Sequence, residues 1–333
     1  MAAEPSDRKP TLTRASFAWT QQLILFAVFF TGLMTVHAPL LRLPYFWDEA
    51  GYYIPAARDL FLTGTLIPQS TPSNAHPPLV MAWLALAWRT YGYSTLVTRT
   101  AMLGLSALSL LGFFRLARIA ANLPVAWATT ILIALYPVYF TQSSLAQVDL
   151  PAAGFTWWAL AAYLEDRPGA QAFWFSLAVL AKETAILAPI ALFGWEMLAC
   201  FLRPRLKDIR WREMFPPQRD RLRWLALVFP VAPLATWYAY HRAKTGFLLG
   251  NPEFFRYNVA ATLSVLRIPV AFGMRLWQLL GYFGLYLLTL SGVLAMFRAP
   301  RVLNDKQEGL ERARIPFWVQ AASPLAEEEE RKA

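Results

Sequence analysis

Residues 17–36 read FAWTQQLILFAVFFTGLMTV, an apolar run without a charged side chain. As a helix, about 20 such residues cross the hydrocarbon core of a bilayer, since each residue advances about 1.5 Å. Basic residues precede the run, and Val36-His37-Ala38 makes a poor signal-peptidase cleavage site. We therefore predict an uncleaved signal-anchor helix that follows a cytoplasmic N-terminus, residues 1–16.

Similar apolar runs recur along the chain, and they predict an all-α, polytopic transmembrane helical bundle. The 333 residues are 57% hydrophobic and only 16% charged, a balance that soluble proteins rarely reach. Lipid admits only internally bonded helices or closed barrels, and these runs are too long for barrel strands. The transmembrane core is expected over residues 17–297, followed by a cytoplasmic-side segment and polar tail at 298–333. The other predicted spans are Leu96–Leu116, Pro124–Phe140, Gly154–Leu164, Ala172–Ala188, Ile190–Leu202, Trp224–Tyr240 and about Val270–Phe297.

Basic residues set the predicted orientation of these helices. A net charge of +10 is also typical of nucleic-acid-binding proteins, but here the basic residues cluster between apolar runs, above all in loop 203–223. Cytoplasmic loops of membrane proteins carry such an excess of Lys and Arg. If loop 203–223 is cytoplasmic, residues 38–95, 141–153, 182–189 and 241–269 lie at the outer face of the inner (plasma) membrane.

The first outer segment, residues 38–95, contains two stretches that predict short interfacial helices. They are Glu49–Leu62, which is amphipathic, and Pro78–Tyr91. A full membrane crossing by the second stretch would place Asp149 on the opposite face from Asp48. The interfacial interpretation is preferred because it keeps the basic loop 203–223 inside.

Four short polar motifs fall on the predicted outer face. Ionisable groups at the mouth of a membrane helix are costly, and they are usually functional. The topology was derived from charge and hydropathy, not from these motifs. That all four motifs fall on the same face is therefore independent evidence that they form a single site. The motifs are Trp47-Asp48-Glu49 with Tyr52 and Tyr53, His76-Pro77-Pro78-Leu79, Val148-Asp149-Leu150-Pro151, and Ala181-Lys182-Glu183-Thr184.

In order, spacing and topology these motifs resemble the GT-C superfamily of membrane glycosyltransferases, in particular the protein O-mannosyltransferase and aminoarabinose-transferase-like branch. The resemblance covers roughly residues 20–200 and extends more loosely to about residue 297. Enzymes of this family move a sugar from a polyprenyl-phosphate carrier to an acceptor on the outer membrane face, with inversion. The resemblance therefore implies an inverting glycosyltransferase with a polyprenyl-phosphate-linked sugar donor and a lipid, glycan or protein acceptor.

The carboxylates of the motifs receive separate expectations. The resemblance makes Asp48 the general base, which accepts the proton of the acceptor hydroxyl; the alternative is an N-cap, a position that Asp favours. Asp149 is expected to be a second acidic group in the site, or else a cap before Pro151. Glu49 is expected to bind substrate or to have a structural, hydrogen-bonding role, since adjacent residues of a helix do not share a face.

Positive and aromatic side chains are expected to bind the substrate. Lys182 is predicted to contact the carrier phosphate; its alternatives are an ion pair with Glu183 or snorkelling to the interface. Arg256 and Arg267, in the predicted outer segment 241–269, are further candidates for the phosphate. The remaining predicted substrate-binding residues are Tyr52, His76 and Glu183.

No cofactor is predicted, because the chain has no HExxH motif and no paired-histidine spacing. Some GT-C relatives use a divalent ion held by several carboxylates, and that question stays open. Relatives usually continue beyond this length, and Arg314–Ala321 resembles the start of a further span. We therefore also expect that the chain is truncated at its C-terminus. The alternative functions are an inactive, truncated relative that serves as a membrane scaffold and a transporter, although transporters more often show two related halves.

Overall fold

A computed structural model describes residues 19–205, 221–258, 260, 264–278 and 290. All regular structure in these residues is helical, so the all-α prediction is confirmed. The α-helices are α1 (Trp19–His37), α2 (Ile54–Thr63), α3 (Leu79–Tyr91), α4 (Thr95–Ala120), α5 (Leu123–Leu135), α6 (Pro137–Gln142), α7 (Asp149–Leu164), α8 (Pro168–Ala181), α9 (Leu187–Leu202), α10 (Arg221–Val228), α11 (Val231–Thr245), α12 (Pro252–Asn258) and α13 (Arg267–Leu276). A π-helical turn, Glu49–Tyr53, precedes α2, and short 3-10 turns occupy Ala38–Leu40, Glu183–Ile186 and Arg203–Arg205.

Helices α4, α7 and α8 pack together at the centre of the bundle. The first two approach closely because Gly154 has no side chain; a Cβ atom there would lie 2.9 Å from the Cα atom of Ser109. Trp158 of α7 fits beside Gly112 of α4, and its Nε1 donates a hydrogen bond to the carbonyl of Leu108 at 2.8 Å. The first turn of α7, which carries a predicted site residue, is therefore held in a fixed position against α4.

Within the described residues, four helical stretches are long and apolar enough to cross a membrane, namely residues 19–40, 95–120, 183–205 and 222–245. The first presents large apolar side chains outward: Leu23 and Ile24, for example, are 65% and 63% exposed. Contiguous exposed apolar surface of this kind favours a lipid environment over water. The chain is therefore a multi-pass membrane protein.

Two predicted spans are each divided into two helices, and one of them, Trp224–Tyr240, falls on α10 and α11. The run Pro124–Phe140 forms α5 and α6, which meet at Tyr136. This residue has extended backbone, with φ −62° and ψ 127°, because the ring of Pro137 disfavours the helical conformation in the residue before it. Hydropathy does not register this break, since the residues on both sides of it are apolar.

Two of the predicted helix ends that differ from the structure bear on the site. Helix α7 begins at Asp149 rather than at Gly154, since an acidic side chain is favourable in the first turn of a helix. Helix α8 ends at Ala181 rather than at Ala188, because Lys182 adopts extended backbone with φ −149° and ψ 129°. Both differences place predicted site residues at helix ends.

Several predictions lie outside the described residues. Helix α13 begins at Arg267, but most of the predicted span Val270–Phe297 follows the described part of it. Residues 1–16, Arg314–Ala321 and the polar tail also lie outside the described residues.

Helices α2 and α3 lie at one end of the bundle, as predicted. In the last turns of α3, Nε1 of Trp88 donates a hydrogen bond to Oγ1 of Thr98, in the first turn of α4, at 2.9 Å. Just before α3, His76 contacts Glu183, which follows α8. Both ends of α3 therefore lie near the same end of the bundle, and α3 does not cross it.

Charged residues mark the two ends of the bundle. Helix α7 begins at Asp149 and its 16 residues extend about 24 Å. Beyond its other end, Glu165 accepts a hydrogen bond from Nε of Arg115 at 2.8 Å, and Asp166 pairs with Arg223. We refer to the end with Asp149 as the site end and to the end with Glu165 as the arginine end.

Candidate active site

Glu49, the first residue of the π-helical turn, is fully buried and held by an ion pair. Its Oε1 and Oε2 accept hydrogen bonds from Nη1 and Nη2 of Arg99 at 2.5 and 2.9 Å, and Oε1 also accepts from the backbone N–H of Ala146 at 2.5 Å. Arg99 also donates to the carbonyl oxygens of Ser144 and Pro44, at 2.9 and 3.2 Å. The pair therefore joins the π-helical turn, α4 and the loop before α7.

This burial favours the structural alternative for Glu49 over the predicted substrate contact. Glu49 has no exposed surface, and its charge is compensated by Arg99, as a buried charge requires. The neighbouring Asp48 is exposed, because adjacent side chains leave a helical turn in different directions. We therefore assign Glu49 to positioning the turn that presents Asp48, which agrees with the structural alternative for this residue.

Asp48 lies at the edge of the site with its carboxylate exposed to the surroundings. It occupies the N-cap position of the π-helical turn, but its side chain makes no capping hydrogen bond. The preceding Trp47 has φ 53°, a left-handed conformation that non-glycine residues rarely adopt and that tends to occur at functional sites. The local backbone therefore presents the Asp48 carboxylate outward.

The phenol of Tyr53 lies near both Asp48 and Asp149. Burial raises the pKa of Tyr53 well above its usual range, and the negative charges of Asp149 and Asp48 raise it further. Burial likewise raises the pKa of Tyr52 to about 12. Both phenols therefore stay protonated near neutral pH, where they can donate hydrogen bonds but do not act as bases.

Asp149 and Lys182 form an ion pair that joins the start of α7 to the end of α8. Nζ of Lys182 lies 2.5 Å from Oδ1 of Asp149, and the Asp149 side chain is 54% exposed. Lys182 thus pairs with Asp149, not with Glu183 as the alternative proposed. Because the Lys182 backbone is extended, successive side chains point to opposite sides. Ion pairs this exposed contribute little free energy, so a bound anion can compete for the ammonium group.

His76 and Glu183 form a further hydrogen-bonded pair at the site end. Nδ1 of His76 lies 2.8 Å from Oε2 of Glu183, and both side chains are mostly buried. The imidazole stacks nearly parallel on Tyr53, with ring centroids 6.1 Å apart, and meets Tyr52 edge-on. The loop before α3 is therefore tied both to the π-helical turn and to the link between α8 and α9.

The two arginines predicted as phosphate contacts are exposed. Arg256 lies on α12 and Arg267 is the first residue of α13. Their role as phosphate contacts remains a prediction. In the part of the chain that the structure describes, no three His, Cys, Asp or Glu side chains are grouped so that they could hold a metal ion.

Arg99 is an essential part of this geometry that the motif pattern does not reveal. The sequence did indicate that Arg99 is unusual, because it is a charged residue near the start of the predicted span Leu96–Leu116. Such a residue needs a partner of opposite charge. Glu49, a carboxylate among aromatic residues, was the available candidate.

The fold has counterparts among solved structures. No family model and no curated protein matches the chain. The crystal structure of ArnT from Cupriavidus metallidurans bound to undecaprenyl phosphate is 18% identical, with a TM-score of 0.51 over 80% of this chain and 52% of that chain. The apo structure of the same protein is 20% identical, with a TM-score of 0.49 over 72% and 44% of the two chains.

The chain has the GT-C fold of ArnT. At this level of identity the likeness establishes the fold, and it confirms the architecture that the motifs predicted. The chain spans about half of the length of the ArnT chain that it matches.

Proposed function

We propose that this protein is an inverting glycosyltransferase that moves a sugar from a polyprenyl-phosphate carrier to an acceptor hydroxyl or other nucleophile. The ArnT-like GT-C fold supports the glycosyltransferase class, and the ArnT structure bound to undecaprenyl phosphate supports the type of carrier. One observation supports the choice of the base. Among the carboxylates described at the centre of the site, Asp48 is the one without an ion-pair or capping partner. The others are paired as Glu49–Arg99, Asp149–Lys182 and Glu183–His76.

In the proposed reaction, Asp48 accepts the proton of the acceptor hydroxyl while the hydroxyl oxygen attacks the anomeric carbon of the sugar. The bond between that carbon and the phosphate oxygen breaks, and the carrier leaves as polyprenyl phosphate. Attack on the face opposite the leaving group inverts the anomeric configuration in one displacement. Phosphate is a good leaving group, so the site needs a base and a nearby cation more than a strong general acid.

Lys182 is proposed to supply that cation. Its ion pair with Asp149 keeps the ammonium group at the site end and leaves it a quarter exposed, so that a phosphate can approach. Asp149 then positions the lysine and holds the acceptor side of the site. Arg256 and Arg267 are further candidates to contact the phosphate, since both are exposed cations of the segment that follows α11.

The site end is proposed to face the outer side of the plasma membrane. The arginine end, which carries Arg115 and Arg223, lies at the opposite end of α4 and α7. Excess arginine is typical of cytoplasmic loops, so this arrangement supports a cytoplasmic arginine end. A donor with a polyprenyl tail would then reach the site from the outer leaflet.

Replacement of Asp48 tests the proposed function directly. Asp48→Asn keeps the size of the side chain but removes the proton acceptor, and no described hydrogen bond is lost. We expect transfer of labelled sugar from polyprenyl-phosphate donors to fall by about 10²-fold or more, a typical contribution of general base catalysis. The measurement uses membranes purified from cells that express each variant, together with the endogenous acceptors that these membranes contain.

Glu253→Gln is the matched control, because Glu253 is an exposed carboxylate of α12 outside the paired cluster. It should leave the rate of transfer unchanged. If the wild-type protein is active and Asp48→Asn transfers sugar at a similar rate, Asp48 is not the base.

A further inference from the structure

A cavity at the site end is separate from Asp48, Asp149 and Lys182. It lies between loop residues 67–73 and residues 241–251, and its volume is about 410 Å³. This volume lies within the usual range for small-molecule sites. None of the described wall residues is charged, and they offer hydroxyl, amide and imidazole groups beside prolines and one phenyl ring.

The walls of this cavity are held in place by hydrogen bonds. Oδ2 of Asp59 accepts from the backbone N–H groups of Gln69 and Ser70 at 2.6 and 2.7 Å, and from the Ser70 hydroxyl at 2.9 Å. On the other side, the N–H of Asn251 donates to the carbonyl of Ser73 at 3.1 Å. The cavity is therefore formed by the fold itself.

The cavity wall adjoins the candidate active site through His241, Ser73 and Tyr52. Nδ1 of the fully buried His241 lies 2.9 Å from the carbonyl of Phe247, which can only accept, so Nδ1 carries the proton. Nε2 then accepts the hydrogen bond of the Ser73 hydroxyl at 2.8 Å. Ser73 also lies near the phenol of Tyr52, which meets His76 edge-on. A group bound in the cavity would therefore lie next to the site residues.

We propose that this cavity binds an uncharged sugar unit of one of the two substrates. The proposal rests on the proposed function and adds the chemistry that the site recognises. Hydroxyl and amide groups donate to and accept from sugar hydroxyls, while Pro68, Pro72 and Phe247 offer apolar surface to the C–H faces of a sugar ring. A phosphate or carboxylate in the same place would lose hydration without meeting a cation among the described wall residues.

Saturation-transfer NMR on the full chain in detergent micelles tests the proposal. The uncharged probes are the methyl glycosides of mannose, glucose and N-acetylglucosamine, and glucose 6-phosphate is the charged counterpart. We expect at least one methyl glycoside to bind, and glucose 6-phosphate to bind about 10-fold more weakly or not at all, as expected for a desolvated charge without a partner. Binding of glucose 6-phosphate as tight as that of the glycosides would overturn the proposal, as would no binding of any glycoside.

Two tryptophan variants locate the bound sugar. Gln69→Trp fills the cavity, while the backbone N–H of residue 69 keeps its bond to Asp59. Leu66→Trp places the same side chain in the same loop at a position outside the cavity wall, and it is the matched control. We expect only the first variant to weaken glycoside binding by about 10-fold or more, a loss of roughly 1.4 kcal/mol. Equal binding by both variants, at equal melting temperatures, would place the sugar elsewhere.

The source of the sugar is distinguished by competition. If a polyprenyl-phosphate mannose donor displaces the glycoside, the cavity holds the donor sugar; if both bind together, it holds a sugar of the acceptor. The readout needs no transfer reaction. Sugar binding without any transfer by the wild-type protein would therefore refute the proposed function but not the cavity, and transfer without binding would refute only the cavity.

Discussion

Lys182 shows how a single residue gains a role from its backbone conformation. Helix α8 ends at Ala181, and the extended Lys182 directs its ammonium group to Asp149 while Glu183 reaches His76. A sequence motif identifies the adjacent lysine and glutamate, but it does not reveal that they belong to two different ion pairs. The direction of the Lys182 side chain places a cation beside the exposed carboxylates.

Removal of this cation should weaken binding of the lipid carrier. Lys182→Ala is expected to raise the Kd for undecaprenyl phosphate by about 10-fold or more, since hydrogen bonds to charged groups contribute roughly 1.5–3 kcal/mol. Lys182→Arg should retain part of the affinity, because the charge remains while its geometry changes. The measurement is a titration of purified protein with the phospholipid.

Lys244→Ala is the control, because Lys244 is an exposed cation in the last turn of α11. It should leave the Kd unchanged. Normal carrier binding by Lys182→Ala would show that the phosphate binds elsewhere.

At the scale of elements, the Glu49–Arg99 pair determines where the π-helical turn lies. The two side chains are 0% and 1% exposed, and the pair also holds the loop that leads into α7. Because α7 begins at Asp149, the same contact fixes the relative positions of Asp48 and Asp149. A positioning role therefore explains why a carboxylate is buried directly beside an exposed one.

Neutralisation of Glu49 should destabilise the fold. Glu49→Gln leaves the Arg99 cation buried without its carboxylate, and such a change typically costs about 3–5 kcal/mol. We expect a clearly lower apparent melting temperature in detergent, while the exposed neighbour variant Asp48→Asn stays within about 0.5 kcal/mol of the wild type. If Glu49→Gln melts normally but no longer binds carrier or acceptor, Glu49 contacts substrate and the positioning role is wrong.

The sequence singled out these side chains, but their pairing was not predictable from it. The motifs identified Asp48, Asp149 and Lys182 because charge is rare and costly beside apolar runs. Pairing depends on the residue at which each helix begins or ends, and an error of one residue rotates a side chain by about 100° around the helix. Hydropathy placed the start of α7 at Gly154, so it could not show that Asp149 lies in the first helical turn.

At the scale of the whole molecule, hydropathy predicted the order of the helices and their class correctly. The apolar runs are long, and lipid leaves few alternatives to helices. That α3 does not cross the bundle was also predicted, because a further crossing would have reversed every later loop. The division between α5 and α6 did not follow from hydropathy, since it depends on the local effect of Pro137 on Tyr136.

The separation of the site end from the arginine end predicts the orientation of the chain. In a Cys200→Ala background, which removes the chain's one cysteine, Ser70→Cys reports on the site end and Arg205→Cys on the arginine end. Both positions are exposed. We expect an impermeant maleimide to label the first variant in cells with an intact plasma membrane and the second only after lysis, because cytoplasmic loops carry the excess of Arg. The paired variants control for reactivity, since lysis should make both sites accessible. Labelling of position 70 only after lysis would place the candidate site in the cytoplasm, and a carrier-linked sugar in the outer leaflet could then not be its donor.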